Sequence, residues 1–230
     1  MGEDRRVVIA IDGPAGAGKS TIARRLAVRL GYTYVDTGAM YRAVALWALR
    51  RNMDPSDALR MEPLARAAEI ALAAPGRVWL NGEEVTDAIR THEVSQAASV
   101  IAAISGVRRA LVEKQRDLAA RNSVVMEGRD IGTVVFPGAE IKIFLDAGPH
   151  ERVRRRVAES EQKGETVSAA AVAEQMRERD RRDSTRADAP LTQAPDAVYV
   201  DSTGLSIDEV EECILRIVRA RISNGKEAGS

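Results

Sequence analysis

A glycine-rich stretch, GPAGAGKST at 13–21, constrains the fold of this 230-residue chain more than any other feature. It matches the pattern G-x-x-x-x-G-K-[ST], follows the β-branched run VVIAI at 7–11 and precedes the helical run TIARRLAVRL at 21–30. In that order, backbone amides and the helix N-terminus can face phosphate oxygens. We expect Lys19 to reach the β- and γ-phosphates of a nucleoside triphosphate and Ser20 to ligate Mg²⁺. The residues predicted to hold the phosphates are Gly13, Pro14, Ala15, Gly16, Ala17, Gly18, Lys19, Ser20 and Thr21.

Short β-branched runs recur between longer helical patterns, which predicts an α/β fold with a five-stranded parallel sheet flanked by helices. The runs are VVIAI at 7–11, YTYVD at 32–36, SVVME at 123–127, IKIFLD at 141–146 and AVYVD at 197–201. A polar or glycine-containing segment follows each run. Because ligands of open parallel sheets bind at the carboxyl ends of the strands, we expect the site at that edge.

Two long intervals interrupt this alternation. Residues 50–105 contain a helical pattern over MEPLARAAEIALAA at 61–74 and a hairpin signal at Asn81-Gly82, which together predict a small inserted subdomain. Residues 147–195 contain two arginine-rich helical segments joined by EQKGETVS, which predicts a helical lid. We expect one domain over 1–222, with its core at 5–49, 106–146 and 196–222, and a disordered tail at 223–230.

Charge and cysteine content exclude several classes. With 34 basic and 34 acidic side chains, no global field draws the chain to nucleic acid or to an anionic membrane, so any basic site must be local. Cys213 lies in an amphipathic apolar pattern and has no cysteine partner, which predicts a buried structural thiol in a reducing compartment. His92 and His150 are far apart and no cysteine cluster joins them, so a zinc site is not expected. The N-terminus lacks a signal-peptide pattern and no apolar run reaches membrane-spanning length, so we expect a cytoplasmic location.

The class of nucleotide protein follows from what surrounds the glycine-rich stretch. There is no Asn-Lys-x-Asp guanine-reading sequence of a regulatory GTPase, and the third strand ends in EGRDIG rather than in the aspartate-capped strand of a motor ATPase. Small kinases remain, which need a second pocket for the acceptor and a mobile cationic lid. VDTGAMYRA at 35–43 and EGRDIGTVVFP at 127–137 lie at one edge of the predicted sheet and indicate an anionic acceptor.

A charged stretch, RERDRRDSTRADAP at 177–190, falls in the predicted lid. Such runs are most often solvated helix faces. Helical spacing places Arg179, Asp183 and Arg186 on one face, whereas Glu178 can pair with Arg182 as a surface bridge.

These residues resemble the bacterial cytidylate kinase family, which has the nucleoside monophosphate kinase form of the P-loop kinase fold. The resemblance runs through IDGPAGAGKST, DTGAMYRA, IRTHEVSQAAS, EGRDIGTVVFP, KIFLDA, ERDRRDSTRADAPL and DSTGLSIDEV. It implies a cytoplasmic, monomeric enzyme that transfers a phosphoryl group from ATP to CMP or dCMP with magnesium. Thr37 and Glu127 stand where some members have serine and aspartate, which keeps the functional oxygen at both positions.

The resemblance also implies roles for individual residues. It makes Lys19, Arg129, Arg179 and Asp183 catalytic, adds Glu127 as an indirect partner of the Mg²⁺ held by Ser20, and brings Arg152, Arg155 and Arg156 to ATP. Of the residues implied to bind the acceptor, Ser99, Arg108 and Asp130 read the cytosine. The others are Thr37, Tyr41, Arg42, Arg129, Arg179, Asp183 and Arg186.

Two alternatives stay open at the level of sequence. A broader UMP/CMP kinase would have the same motifs, although a carboxylate such as Asp130 accepts from the exocyclic amine of cytosine and opposes the carbonyl of uracil. A nucleotide-dependent RNA-binding module would use the lid arginines to grip a backbone. Its expected basic groove and stacking aromatics are missing from a charge-balanced chain with 3% aromatic residues.

Overall fold

The centre of the molecule is a sheet of five parallel strands in the order β2-β6-β1-β7-β8. The strands are β1 Val8–Asp12, β2 Thr33–Asp36, β6 Val124–Gly128, β7 Ile141–Asp146 and β8 Val198–Asp201. In the sheet register Asp12 lies opposite Gly128 on one side and Phe144 on the other, and Asp36 lies opposite Glu127. The polar residues that end β1, β2 and β6 therefore meet at one edge. The predicted five-stranded parallel sheet is confirmed.

The computed structural model describes residues 6–73, 76–162, 164 and 166–227. The helices are α1 Lys19–Leu30, α2 Thr37–Arg50, α3 Ala58–Ala67, α4 His92–Ile101, α5 Ser105–Ala119, α6 Pro149–Gln162, α7 Ala169–Thr185 and α8 Ile207–Glu227. A small antiparallel sheet contains β3 Ile70–Ala73, β4 Arg77–Leu80 and β5 Glu83–Glu84. A 3₁₀ turn covers Ala88–Arg90, and a π-helix covers Ile131–Val135.

The sheet is covered on both faces, as its uninterrupted apolar strands require. Ile22 and Leu26 of α1 and Ile214 and Val218 of α8 are buried in one cluster with β1, β7 and β8. On the other face, Val112 and Ala119 of α5 are buried with β6 and the π-helix. A separate cluster joins α2, α3, α4 and the start of α5 to the small sheet. The part of the molecule around the insert at 50–105 thus has its own core.

The inserted region differs in part from its predicted secondary structure. The hairpin is confirmed, because Asn81 and Gly82 take positive φ values of 50° and 83° between the paired strands β4 and β5. The helix predicted over 61–74 is wrong in its second half. Ala68 leaves the helix with ψ 118°, and Ile70 and Leu72 alternate with exposed alanines in β3, where pairing with β4 satisfies the backbone.

The C-terminal helix continues past the boundary predicted at residue 222. Val218 and Ile222 pack against the sheet, and helical hydrogen bonding carries α8 on to Glu227. The disordered tail expected at 223–230 stays a prediction, and 228–230 lie outside the described residues. In the part of the chain described here, none of the helices is long and apolar enough to cross a membrane.

Candidate active site

The glycine-rich loop lies between the end of β1 and the start of α1. Gly13 has φ 146°, and a Cβ on it would lie 1.9 Å from the Leu145 carbonyl oxygen, so the loop passes β7 at a distance that only glycine permits. Gly18, with φ 94°, precedes α1 without a side-chain cap from the described residues. The first-turn amides of α1 therefore have no intrahelical partner and can bind an anion. Thr21 is exposed on this turn.

Lys19 is buried beneath the loop that it follows. Its Nζ donates a 2.7 Å hydrogen bond to the Pro14 carbonyl oxygen. Burial lowers the pKa of Lys19, and the nearby Arg129 lowers it further, while Glu127 opposes the shift. An anion bound beside Lys19 would favour the charged ammonium form of its side chain. A phosphate site needs that positive charge.

Glu127, near the end of β6, lies close enough to Lys19 to raise its pKa. It is buried, the Tyr34 hydroxyl donates to its Oε1 at 2.6 Å, and the Ser20 side chain lies close enough to lower the pKa of Glu127. Burial raises the pKa of Glu127 and Asp36 adds to this, whereas Lys19 lowers it. Ser20 and Glu127, predicted on separate segments, therefore lie together.

The start of α2 is joined to the end of β6. Asp36 caps α2 by accepting from the Ala39 amide at 2.8 Å and pairs with Arg42 at 2.9 Å. The Thr37 hydroxyl donates a 2.6 Å bond to the Glu127 carbonyl oxygen. The Arg42 Nε is buried without a hydrogen-bond partner in the described chain. This end of the site thus holds a guanidinium with unused donor capacity.

Asp130 follows β6 and is buried between two arginines. Its carboxylate contacts Arg108 of α5, and its Oδ1 lies 3.6 Å from a terminal nitrogen of Arg186. Burial raises the pKa of Tyr41 to about 12, with Arg108 opposing and Asp130 contributing, so the Tyr41 hydroxyl belongs to this group. On α4, the Ser99 hydroxyl is buried and no described residue pairs with it.

The charged stretch in α7 contributes a second cationic group. Arg129 Nε donates to Asp183 Oδ2 at 2.8 Å, and Arg179 Nε lies 4.0 Å from the same oxygen. Burial opposes ionisation of Asp183, but Arg129 and Arg179 outweigh it and lower its pKa. Burial, followed by repulsion from Arg129, lowers the pKa of Arg179 to about 10. Burial and then Arg108 lower the pKa of Arg186.

The arginines of α6 divide between the loop and the surface. Arg152 donates to the Ala15 carbonyl at 3.1 Å and to Asp180 at 2.6 Å, and Arg155 donates to the Ala17 carbonyl at 3.3 Å. Arg156 pairs with Glu159 of its own helix at 2.7 Å. It is nevertheless close enough to lower the pKa of Arg179. Helix α6 therefore lies against the glycine-rich loop.

Several residues of this site are absent from the sequence-based prediction. Tyr34 supports Glu127, Asp36 fixes Arg42, Asp180 pairs with Arg152, and Ser202 binds Arg155 through its hydroxyl at 2.9 Å. Asp36 had a usable signal, because an aspartate directly before a helical pattern is a preferred cap. No sequence signal identifies Tyr34, because its position in an alternating strand is that of an ordinary packing residue.

A parallel sheet with a P-loop sequence after its first strand, an arginine-rich helix against that loop and a second group of buried arginines are the features of a P-loop kinase. Comparison with known proteins narrows this class. The profile of the family described as "Cytidylate kinase" matches residues 9–220, and the chain belongs to the cytidylate kinase family.

Relatives agree with this assignment, and a solved structure shares the fold. The chain is 66% identical over 227 residues to a cytidylate kinase of Solibacter usitatus, covering 98% of this chain and 97% of that protein. It is 48% identical to a cytidylate kinase of Citrifermentans bemidjiense over 95% of each chain. A crystal structure of a gluconokinase from Sinorhizobium meliloti 1021 is similar with a TM-score of 0.50 and 17% identity, over 98% of this chain and 99% of that one. At that identity the likeness concerns the fold alone.

Proposed function

We propose that this protein transfers the terminal phosphoryl group of ATP to CMP and dCMP, giving CDP and dCDP. One observation carries the proposal beyond family membership. Nine buried side-chain polar atoms of the described residues have no hydrogen-bond partner, and four of them are Arg42 Nε, Ser99 Oγ, Arg179 Nε and Arg186 Nη2. Buried donors without partners cost free energy, and a phosphorylated, hydrogen-bonding ligand would satisfy them. All four belong to the residues predicted to bind the acceptor.

On the donor side, the loop from Gly13 to Thr21 would hold the ATP phosphates, and Lys19 would turn from the Pro14 carbonyl to the β- and γ-phosphates. Ser20 with Glu127 behind it fits a Mg²⁺ ion, because Mg²⁺ binds through few protein oxygens and completes its shell with phosphates and water. When bound, the ion supplies positive charge to the transferring oxygens. Arg152 and Arg155 lie over the loop in the lid, where they would close on ATP.

On the acceptor side, Arg42, Arg129 and Arg186 would meet the CMP phosphate, with Thr37 and Tyr41 lining the nucleotide. Ser99, Arg108 and Asp130 would read the cytosine. The Asp130 carboxylate would accept from the exocyclic amine, while Arg108 holds that carboxylate in place. Uracil would instead place a carbonyl oxygen opposite the Asp130 carboxylate. Because both groups are acceptors, this mismatch would cost about 1–3 kcal/mol of binding free energy.

Transfer itself would depend on position and charge more than on proton removal. The CMP phosphate is already nucleophilic at neutral pH, so no general base is needed. Lys19, Arg129, Arg179 and Arg156 would surround the moving group and neutralise charge on its oxygens. Asp183 would orient Arg129, which it already contacts, and accept from a ribose hydroxyl. The core, the insert at 50–105 and the lid at 147–195 would move relative to each other to exclude water.

A coupled assay with CMP, dCMP, UMP and AMP tests this proposal. We expect kcat/KM for CMP and dCMP to exceed that for UMP by about 10-fold or more, given the cost of the uracil mismatch. AMP should be a poor acceptor. Comparable kcat/KM for CMP and UMP would contradict cytosine selectivity and favour a broader UMP/CMP kinase. Mass measurement by light scattering tests the expected monomer.

A further inference from the structure

The π-helix at Ile131–Val135 begins directly after Arg129 and Asp130, the two residues proposed to meet the acceptor. The Asp130 carbonyl accepts from the amides of Val134, at 2.9 Å, and Val135, at 3.2 Å, and the Phe136 amide donates to the Ile131 carbonyl at 2.7 Å. A π-helix is a rare form of the backbone that is frequent at functional sites. Two of its amides bind the Asp130 carbonyl, so the π-helix is joined directly to the Asp130 backbone.

Asp12 holds the first end of the π-helix. Its two carboxylate oxygens accept from the amides of Ile131 at 2.8 Å and Gly132 at 2.7 Å. Because Asp12 ends β1 directly before the phosphate-binding loop, this end is fixed to the donor half of the site.

Arg116 of α5 holds the other end. Its Nε donates to the Val135 carbonyl at 3.0 Å, and a terminal nitrogen donates to the Val134 carbonyl at 3.0 Å. The last carbonyls of a helix have no partners within it, so a guanidinium that binds two of them stabilises the turn. Arg116 is exposed and lies outside every group of residues predicted to touch a ligand.

The same helix carries Arg108, which contacts the Asp130 carboxylate. Arg108 and Arg116 are eight residues apart, about 12 Å along the helix axis. α5 therefore contacts this segment at two points. Arg108 contacts the Asp130 side chain, and Arg116 binds the backbone of the π-helix that follows. Movement of the π-helix along α5 would change how Arg108 approaches Asp130.

We propose that Arg116 is a positioning residue for cytosine selectivity: by holding the C-terminal end of the π-helix against α5, it fixes the Asp130 carboxylate relative to Arg108. The inference rests on the proposed reading of cytosine by Asp130. Arg116 itself touches no substrate.

The test compares Arg116→Met, Arg116→Lys and Lys114→Met. Lys114 is the matched control, because it also lies on α5 and donates to a backbone carbonyl, that of Arg66, at 3.1 Å, away from the π-helix. In Arg116→Met we expect KM for CMP to rise about 10-fold, from the loss of two charged hydrogen bonds, and KM for ATP to stay within about twofold. The ratio of kcat/KM for CMP over UMP should fall with it. Arg116→Lys, which can reach one carbonyl, should recover part of the loss.

Hydrogen exchange on the ligand-free proteins provides a readout independent of activity. The amides of Val134, Val135 and Phe136 should exchange about 10-fold faster in Arg116→Met than in wild type, and Lys114→Met should match wild type. If KM for CMP and its selectivity are unchanged in Arg116→Met, the inference is wrong. It is equally wrong if KM for CMP and ATP rise together while exchange quickens throughout the sheet, since that would be general destabilisation. A wild type that does not prefer CMP would instead refute the proposed function.

Discussion

Replacing Arg179 with methionine should stabilise the free protein and weaken its response to ligands. Arg179 lies beside Arg129, Arg42 and Arg156, with Asp183 as its nearby counter-charge, and burial with repulsion lowers its pKa to about 10. At pH 7 the guanidinium is charged in both folded and unfolded chains. A pKa lowered in the folded state therefore means that the charged form costs stability.

The size of the effect follows from that shift and from solvent screening. The lowered pKa corresponds to about 3 kcal/mol against the charged guanidinium. Because 38% of the side chain is exposed, screening reduces this to about 1 kcal/mol. Methionine retains the apolar stem without the charge. We expect the free energy of unfolding to rise by about 1 kcal/mol and Tm by about 2–4 °C.

With ligands bound, wild type should be more stable than Arg179→Met. A charged hydrogen bond to phosphate contributes about 1.5–3 kcal/mol, so CMP with a non-hydrolysable ATP analogue should stabilise wild type more than Arg179→Met by that amount. Arg181→Met is the matched control on the same helix, since Arg181 is 66% exposed and pairs with Glu178. It should leave both the free Tm and the ligand response unchanged. A free Arg179→Met that melts below wild type, or one that gains as much from ligands, would refute the reasoning.

Three further predictions concern the donor half of the site. Lys19→Ala should lower kcat about 10²–10³-fold in the coupled assay with no fall in Tm, because it removes one transition-state contact and a buried cation; retained turnover would contradict the role of Lys19. Gly13→Ala should lower the free energy of unfolding, measured with denaturant, by about 2 kcal/mol or more, since alanine must adopt φ 146° against the Leu145 carbonyl. Gly138→Ala should leave that free energy nearly unchanged, because a Cβ there enters open space. Chelation of Mg²⁺ by EDTA should stop transfer while calorimetry still detects CMP binding, and full activity in EDTA would argue against a metal on Ser20.

The parts of the fold that were predictable are those in which local pattern and tertiary structure agree. β-branched runs gave the five strands, and the loop with Lys19 and Ser20 needs only the strand before it and the helix after it. The second half of 61–74 was mispredicted because alanine-rich sequence is compatible with a helix. Only pairing with β4 makes Ile70 and Leu72 a strand.

The site residues also divide into what the local pattern predicts and what tertiary structure decides. The edge on which Thr37, Glu127 and Asp130 would meet follows from parallel strands, whereas the contacts among them depend on tertiary approach. No local pattern shows that Tyr34 reaches Glu127, or that Arg116 binds the carbonyls of the π-helix. Both contacts join different secondary-structure elements, which only tertiary packing brings together.

The most direct test of the proposed cytosine site is the ratio of kcat/KM for CMP over UMP in wild type and in Asp130→Ala. Wild type should favour CMP by about 10-fold or more, and Asp130→Ala should reduce that preference toward unity, because the carboxylate that distinguishes an amine from a carbonyl is gone. The preparation should remain folded by circular dichroism. A preference for CMP that survives intact in a folded Asp130→Ala would contradict the account.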